Sequence, residues 1–385
     1  MPPNQPTNEA LDAFLADERF TQIFEGVDVD GNTLRISYAD YGYRNKENPE
    51  QENVWLFFSP LMGSRMMHVA KDLDAKKHKV RIINADRPGF GSTPNVKATG
   101  RLAHWRGAVM ALLEHLQVRH VYLGAQSAGT VYALDLLLHH PEILHPAQGY
   151  LAIGSPWIHP SKSGTWHLSL AEALPTSLLA HSDKLASYFT MVSAPLLGKS
   201  LDLVGNLMQW LGPAAAPTRE GGEAGNSTKN NTDTAAGASD EATAFAEALD
   251  PKLADFIFRN SVSGMSNETI LVLQRPNKDS NVPGWSDWGD YDVLVPRLRR
   301  VLANSNRRLI VDIFLSETDA MTGDPGTAGP EWFIGCWDAP SDSGDPIVFS
   351  CSVVPGTDHN SIWATGFGVA HGVFERIERL SKAEC

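Results

Sequence analysis

The apolar positions of this chain follow two different rhythms. Near the start they alternate: Ile23-Phe24-Glu25-Gly26-Val27 and Thr33-Leu34-Arg35-Ile36-Ser37-Tyr38 flank the pair Asp30-Gly31. Alternation on both sides of Asp-Gly predicts a β-hairpin, because that pair accepts the left-handed backbone of a tight turn. The pattern then changes to short unbroken runs: Val54-Trp55-Leu56-Phe57-Phe58, Val80-Arg81-Ile82-Ile83-Asn84, His120-Val121-Tyr122-Leu123 and Gly149-Tyr150-Leu151-Ala152-Ile153. Such runs suit strands buried on both faces. Helical spacing over 101–115 and 128–140 separates the last three. Strands alternating with helices predict an α/β fold, with a mostly parallel sheet flanked by helices on both faces.

From about Trp157 to Gly284 this rhythm stops. Helix-like stretches take its place at 168–179, 184–197, 201–211, 241–259 and 268–273. Within them, 213–240 is rich in Ala, Gly, Thr, Asn and Ser. It has too few large apolar side chains to offset the entropy of ordering, and is expected to be a disordered loop. Strand patterns return at 308–314 and 347–354, and an amphipathic helix is expected over 362–379. Residues 1–20 read as an N-terminal arm with a short helical stretch at 10–15. The domain reading is an α/β core, 21–156 and 285–385, interrupted after its sixth strand by a helical insertion, 157–284.

Composition narrows the function. At 385 residues and 42% hydrophobic content the chain can bury a sizeable core. A formal net charge of −13 repels phosphate backbones, so no nucleic-acid partner is expected. No run of eighteen apolar residues is present, so no membrane span is expected. The first residues carry neither a basic nor an apolar leader segment, which predicts a cytoplasmic protein. Cys336, Cys351 and Cys385 fit no disulfide or metal spacing and read as reduced thiols. Without a glycine-rich phosphate loop or a His/Cys cluster in sequence, neither cofactor nor metal is expected.

The candidate chemistry centres on Leu123-Gly124-Ala125-Gln126-Ser127-Ala128-Gly129-Thr130, which ends a strand and opens a helix. A serine on such a sharp turn needs small residues two positions away on either side, here Ala125 and Gly129. Helix entry at Ala128 aims free backbone N–H groups at the serine, making the Ala128 N–H the first expected oxyanion donor. Asn84-Ala85-Asp86-Arg87-Pro88-Gly89-Phe90-Gly91-Ser92-Thr93 is a second recognisable segment, whose Gly and Pro residues are expected to shape a turn rather than to react.

With these two segments the chain resembles the α/β-hydrolase family. Over 20–156 and 300–380 it is similar to members with a helical lid, including some from fungal specialised metabolism. The resemblance implies the order nucleophile, acid, histidine along the chain. Ser127 is then the nucleophile, and His359, in the loop Pro355-Gly356-Thr357-Asp358-His359-Asn360 between the last strand and helix, is the base. The acid follows the seventh strand, where Glu317, Asp319 and Asp324 are available. Asp319 is preferred for its distance past the strand end, and Asp358 is a further carboxylate beside the histidine. Relatives usually carry His-Gly where this chain has Ser59-Pro60, and the second oxyanion donor then falls to the Leu61 N–H. The insertion corresponds to the lid, and its Trp157, Trp166, Phe189, Met191, Met208, Trp210, Phe256 and Met265 either line an apolar pocket over Ser127 or form a core of their own.

The resemblance implies cleavage of an ester or thioester of a small to medium apolar molecule. The same triad would also serve a cyclase, an acyltransferase or a product-release thioesterase, and the fold alone would serve a ligand-binding protein. Epoxide hydrolases and haloalkane dehalogenases use an aspartate where Ser127 stands, which sets this chain apart from them.

Overall fold

The computed structural model describes residues 6–27, 31, 33–61, 64–165, 240–259, 263–273, 290–338 and 344–382. Eight strands build one sheet: β1 (Gln22–Val27), β2 (Thr33–Gly42), β3 (Asn53–Phe58), β4 (Val80–Ala85), β5 (Tyr122–Ser127), β6 (Gly149–Pro156), β7 (Leu309–Ser316) and β8 (Ile347–Val354). Their spatial order is 1-2-4-3-5-6-7-8. The alternating segments form the antiparallel pair β1–β2, closing at Val27 opposite Thr33. β2 runs antiparallel to β4, and every further pair is parallel.

The unbroken apolar runs are explained by what each face of the sheet meets. In β3, Val54, Leu56 and Phe58 enter one core while Trp55 and Phe57 enter the other. β6 divides in the same way, with Leu151 and Ile153 on one side and Tyr150 and Ala152 on the other. Side chains alternate across a strand, so a strand covered on both sides must be apolar throughout. The first core is closed by α3 (Arg101–His115), α4 (Gly129–His139) and α8 (Tyr291–Asn304). The second is closed by α2 (Asp72–Lys77), α6 (Asp240–Arg259) and α10 (Val369–Lys382). The remaining helices are α1 (Asn8–Leu15), α5 (Pro160–Ser163), α7 (Met265–Val272) and α9 (Ala328–Gly335).

The structure departs from the expectations at several points. The last helix begins at Val369, because Gly368 takes a left-handed φ of 71° and ends a short 3-10 turn, Thr365–Phe367. The stretch read as an arm is docked: Leu11 and Phe20 are buried, and Phe14 stacks edge-on against Phe245 of α6 with ring centroids 5.1 Å apart. α8 carries Pro296 inside it, which masks a clear helical stripe of Tyr291, Leu294, Val295, Leu298 and Leu302.

Of the insertion, the stretches 168–179, 184–197, 201–211 and 213–239 lie outside the described residues, with Trp166, Phe189, Met191, Met208 and Trp210. The described parts rest on the core. Trp157 and Met265 are buried in the first core, and the Trp157 indole N–H donates to Val272 O at 3.1 Å. Phe256 is half-buried beneath the Arg65 guanidinium, 5.6 Å from the ring centre. Among the described residues, no helix is long and apolar enough to cross a membrane.

α6 packs on the turn Val69–Lys71, where Lys71 is only 5% exposed. Burial pushes the Lys71 ammonium down from 10.5 to about 8, against the opposing pull of Asp250 and Asp74. Between these two values the unfolded chain holds a proton that the folded chain has released, so stability falls as pH drops from 10.5 towards 8 and stays lowered beneath it. Lys71→Met is therefore expected to stabilise the protein at pH 7 by about 2–3 kcal/mol and to flatten the rise in Tm between pH 8 and 10. Thermal denaturation across that range checks it, and a variant with the wild-type slope contradicts it.

Candidate active site

The end of β5 determines how Ser127 is presented. Ser127 has a left-handed φ of 49°, rare for a residue with a side chain, and α4 starts two residues later. The turn is pressed against the end of β3: a Cβ on Gly129 would lie 2.1 Å from Phe58 O. Any larger residue there would push the serine away from the sheet.

Three sequence-predicted side chains meet at this point. Ser127 Oγ lies 2.9 Å from His359 Nε2, and His359 Nδ1 lies 2.8 Å from Asp319 Oδ2. Ser127, Asp319 and His359 are 3%, 4% and 5% exposed. The other Asp319 oxygen accepts the backbone N–H groups of Met321 and Thr322, each at 2.9 Å, so the carboxylate cannot rotate away from the imidazole. With Asp319 accepting from Nδ1–H, the lone pair of Nε2 faces the serine hydroxyl.

The alternative carboxylates have other partners. Glu317 accepts the Gly356 N–H at 2.8 Å, tying the end of β7 to the histidine loop. Asp324 accepts the Asp319 N–H at 2.6 Å. Asp358 caps its own turn by accepting the N–H groups of Asn360 and Ser361. Among the described residues, the hydrogen-bond partners of the imidazole are Asp319 and Ser127 and none of these three.

Leu61 and Ala128 lie at the ends of β3 and β5, which are neighbours in the sheet. Both are buried, and neither backbone N–H has an acceptor among the described residues. Arg87, in the segment not expected to react, reaches this loop. Its guanidinium donates to Ser59 O and, at 2.6 Å, to Pro60 O. The Pro60–Leu61 peptide is trans. Its carbonyl and N–H therefore point in opposite directions, and holding Pro60 O fixes the direction of the Leu61 N–H.

Arg87 is itself held by a buried group from the insertion. Its Nε donates to Glu268 of α7 at 2.5 Å, and the other Glu268 oxygen accepts from Arg101 at 3.2 Å. All three side chains are at most 2% exposed. The Arg87 guanidinium also lies 4.8 Å above the Tyr132 ring, whose hydroxyl accepts from Arg101 Nε at 3.0 Å. The approach of α7 depends on a glycine pair, since Gly264 N–H donates to Gly89 O at 2.9 Å and a Cβ on either residue would meet backbone at 2.3–2.4 Å. Gln126, also unremarked in the sequence, donates to His359 O at 2.9 Å and so anchors the histidine loop from the residue before the serine.

No family model and no curated protein matches the chain. Solved structures do. A hydrolase from Pseudomonas aeruginosa is 14% identical over 94% of this chain and 98% of its own, with a TM-score of 0.51. A carboxylesterase of Nitrososphaera gargenis is 12% identical over 94% and 100%, with a TM-score of 0.53. An epoxide hydrolase from Vigna radiata is 14% identical over 96% and 99%, with a TM-score of 0.51. At such identities the likeness defines the fold. The chain has the α/β-hydrolase fold.

Proposed function

We propose that the chain is a serine hydrolase cleaving an ester or thioester of a small to medium apolar molecule through an acyl-serine intermediate. The observation that carries this reading is the buried hydrogen-bonded line Asp319–His359–Ser127, with links of 2.8 and 2.9 Å, ending on a serine held at positive φ. His359 takes the Ser127 proton as Oγ attacks the acyl carbon, then returns it to the leaving group. Asp319 holds the required tautomer and offsets the imidazolium charge. The N–H groups of Ala128 and Leu61 receive the oxyanion, the second aimed and polarised by Arg87.

Among its structural neighbours are enzymes named for different reactions. A serine at position 127 favours the esterase over the epoxide hydrolase, whose alkyl-enzyme ester requires a carboxylate there. A binding protein would gain nothing from a base aligned on a buried hydroxyl. An acyltransferase or cyclase of specialised metabolism would share every group named here, and product analysis with and without an added alcohol or amine separates it from a hydrolase.

A fluorophosphonate probe tests the reading directly. Folded protein is expected to gain one covalent adduct per chain, mapped to Ser127 by peptide mass spectrometry and absent after heat denaturation. A folded sample that stays unlabelled at Ser127 contradicts it.

A further inference from the structure

A second group of converging side chains lies by the start of β4, at the opposite end of the parallel strands from Ser127. Asp74 belongs to α2, His78 lies one turn after it at the end of that helix, and His371 comes from α10. The side chain of His78 is only 9% exposed, and its Nδ1 is 2.9 Å from Glu378 Oε2. With Glu378 accepting from Nδ1–H, Nε2 bears a lone pair. That buried nitrogen has no hydrogen-bond partner, and Asp74 Oδ1 faces it at 3.6 Å. Asp74 Oδ1 is also 3.0 Å from His371 Nδ1, whose ring has Glu375 Oε1 3.6 Å from its other nitrogen. The two rings meet edge-on with centroids 4.8 Å apart.

We propose that Asp74, His78 and His371 bind a zinc-type divalent cation that fastens α10 to α2. Three arguments support it. The ligand atoms lie within 4.8 Å of one another. Zinc bonds of about 2.0–2.1 Å in a tetrahedron place neighbouring donors roughly 3.3 Å apart; the two separations from Asp74, 3.0 and 3.6 Å, bracket that spacing, and the two histidine nitrogens lie within 4.8 Å of each other. His78 has Glu378 hydrogen-bonded at its far nitrogen, the outer arrangement that orients and strengthens a histidine ligand, and Glu375 adds a negative charge 3.6 Å from the far nitrogen of His371. Two imidazoles and one carboxylate select zinc, cobalt or nickel over calcium and magnesium, which need more oxygen donors. Water takes the fourth position. The cation is structural, because it lies at the other end of the parallel strands from the serine.

The test uses the full chain stripped with a chelator. Zinc titrated against a chromophoric competitor is expected to saturate at one equivalent. A hundredfold excess over Kd is expected to raise Tm by roughly 3 °C. Cobalt in its place is expected to give the visible absorption of a tetrahedral nitrogen–oxygen site, a readout independent of any variant. His371→Ala is expected to weaken zinc binding at least about a hundredfold, and Glu378→Gln about ten- to a hundredfold. Ester turnover is expected to be unchanged by chelation. The proposal is overturned if stripped protein takes up no saturable zinc, as when a shared proton alone bridges these groups. It is equally overturned if a folded His371→Ala protein binds zinc as the wild type does.

Discussion

Replacing Ser127 by alanine is expected to lower kcat on an activated ester by roughly 10⁵–10⁶ while leaving the fold intact. The size follows from what is lost. Without Oγ no acyl-enzyme forms, and only the oxyanion donors and the bound geometry still act on a water molecule. Those residual effects amount to roughly 10³–10⁴ over solution. His359→Ala is expected to cost about as much, since Oγ 2.9 Å from Nε2 then has no proton acceptor. The double variant should be scarcely worse than either single one, because base and nucleophile act as one unit. Asp319→Asn is expected to cost about 10⁴: the amide can present an N–H to Nδ1, leaving the proton on Nε2, where it faces the serine. Stopped-flow hydrolysis of a nitrophenyl ester, with circular dichroism on each variant, measures all four. Serine-independent turnover above about one per cent of wild type would overturn the assignment.

The residues read as the site in the sequence are all local in pattern. Ser127 shows itself by small neighbours between a strand and a helix, and His359 by a loop between the last strand and last helix. The acid was less legible. Glu317 and Asp319 leave β7 within three residues of its end, and only the turn closed by Met321 and Thr322 N–H groups decides which one faces the imidazole. What the sequence did not show at all is held by partners far apart in it. Arg87 and Glu268 are 181 positions apart, and the pairing depends on how the insertion returns to the core. His371 is 297 positions from Asp74, so no local spacing in the sequence shows that the two side chains meet. Strands were easier than helices because a doubly covered strand must be a continuous apolar run. α8 was hidden by Pro296, and the start of α10 was set by the left-handed Gly368 rather than by its apolar stripe.

Glu268→Gln is expected to cost about 3–5 kcal/mol of stability and, at a temperature where the variant remains folded, to lower kcat more than it raises KM. The stability cost follows from burial: Glu268 is fully enclosed between the guanidiniums of Arg87 and Arg101, and the amide leaves two buried positive charges with no counter-charge among the described residues. The kinetic cost follows from geometry. Arg87 holds the carbonyls of Ser59 and Pro60, and Glu268 holds Arg87. Freed from Glu268, the guanidinium tilts, and the Leu61 N–H loses its fixed direction towards the reacting oxygen. That donor acts mainly on the developing oxyanion, so its loss weighs on kcat, by up to about 10²-fold for one misaligned donor. Urea denaturation gives the first number and steady-state kinetics the second. Arg87→Met removes the same grip and also one of the stranded charges. The double variant Arg87→Met/Glu268→Gln is therefore expected to be less destabilised than the sum of the two singles. Strict additivity in that cycle would show that the two groups are not coupled, and a loss of stability with kcat untouched would show that the ion pair supports α7 without positioning the loop at Leu61.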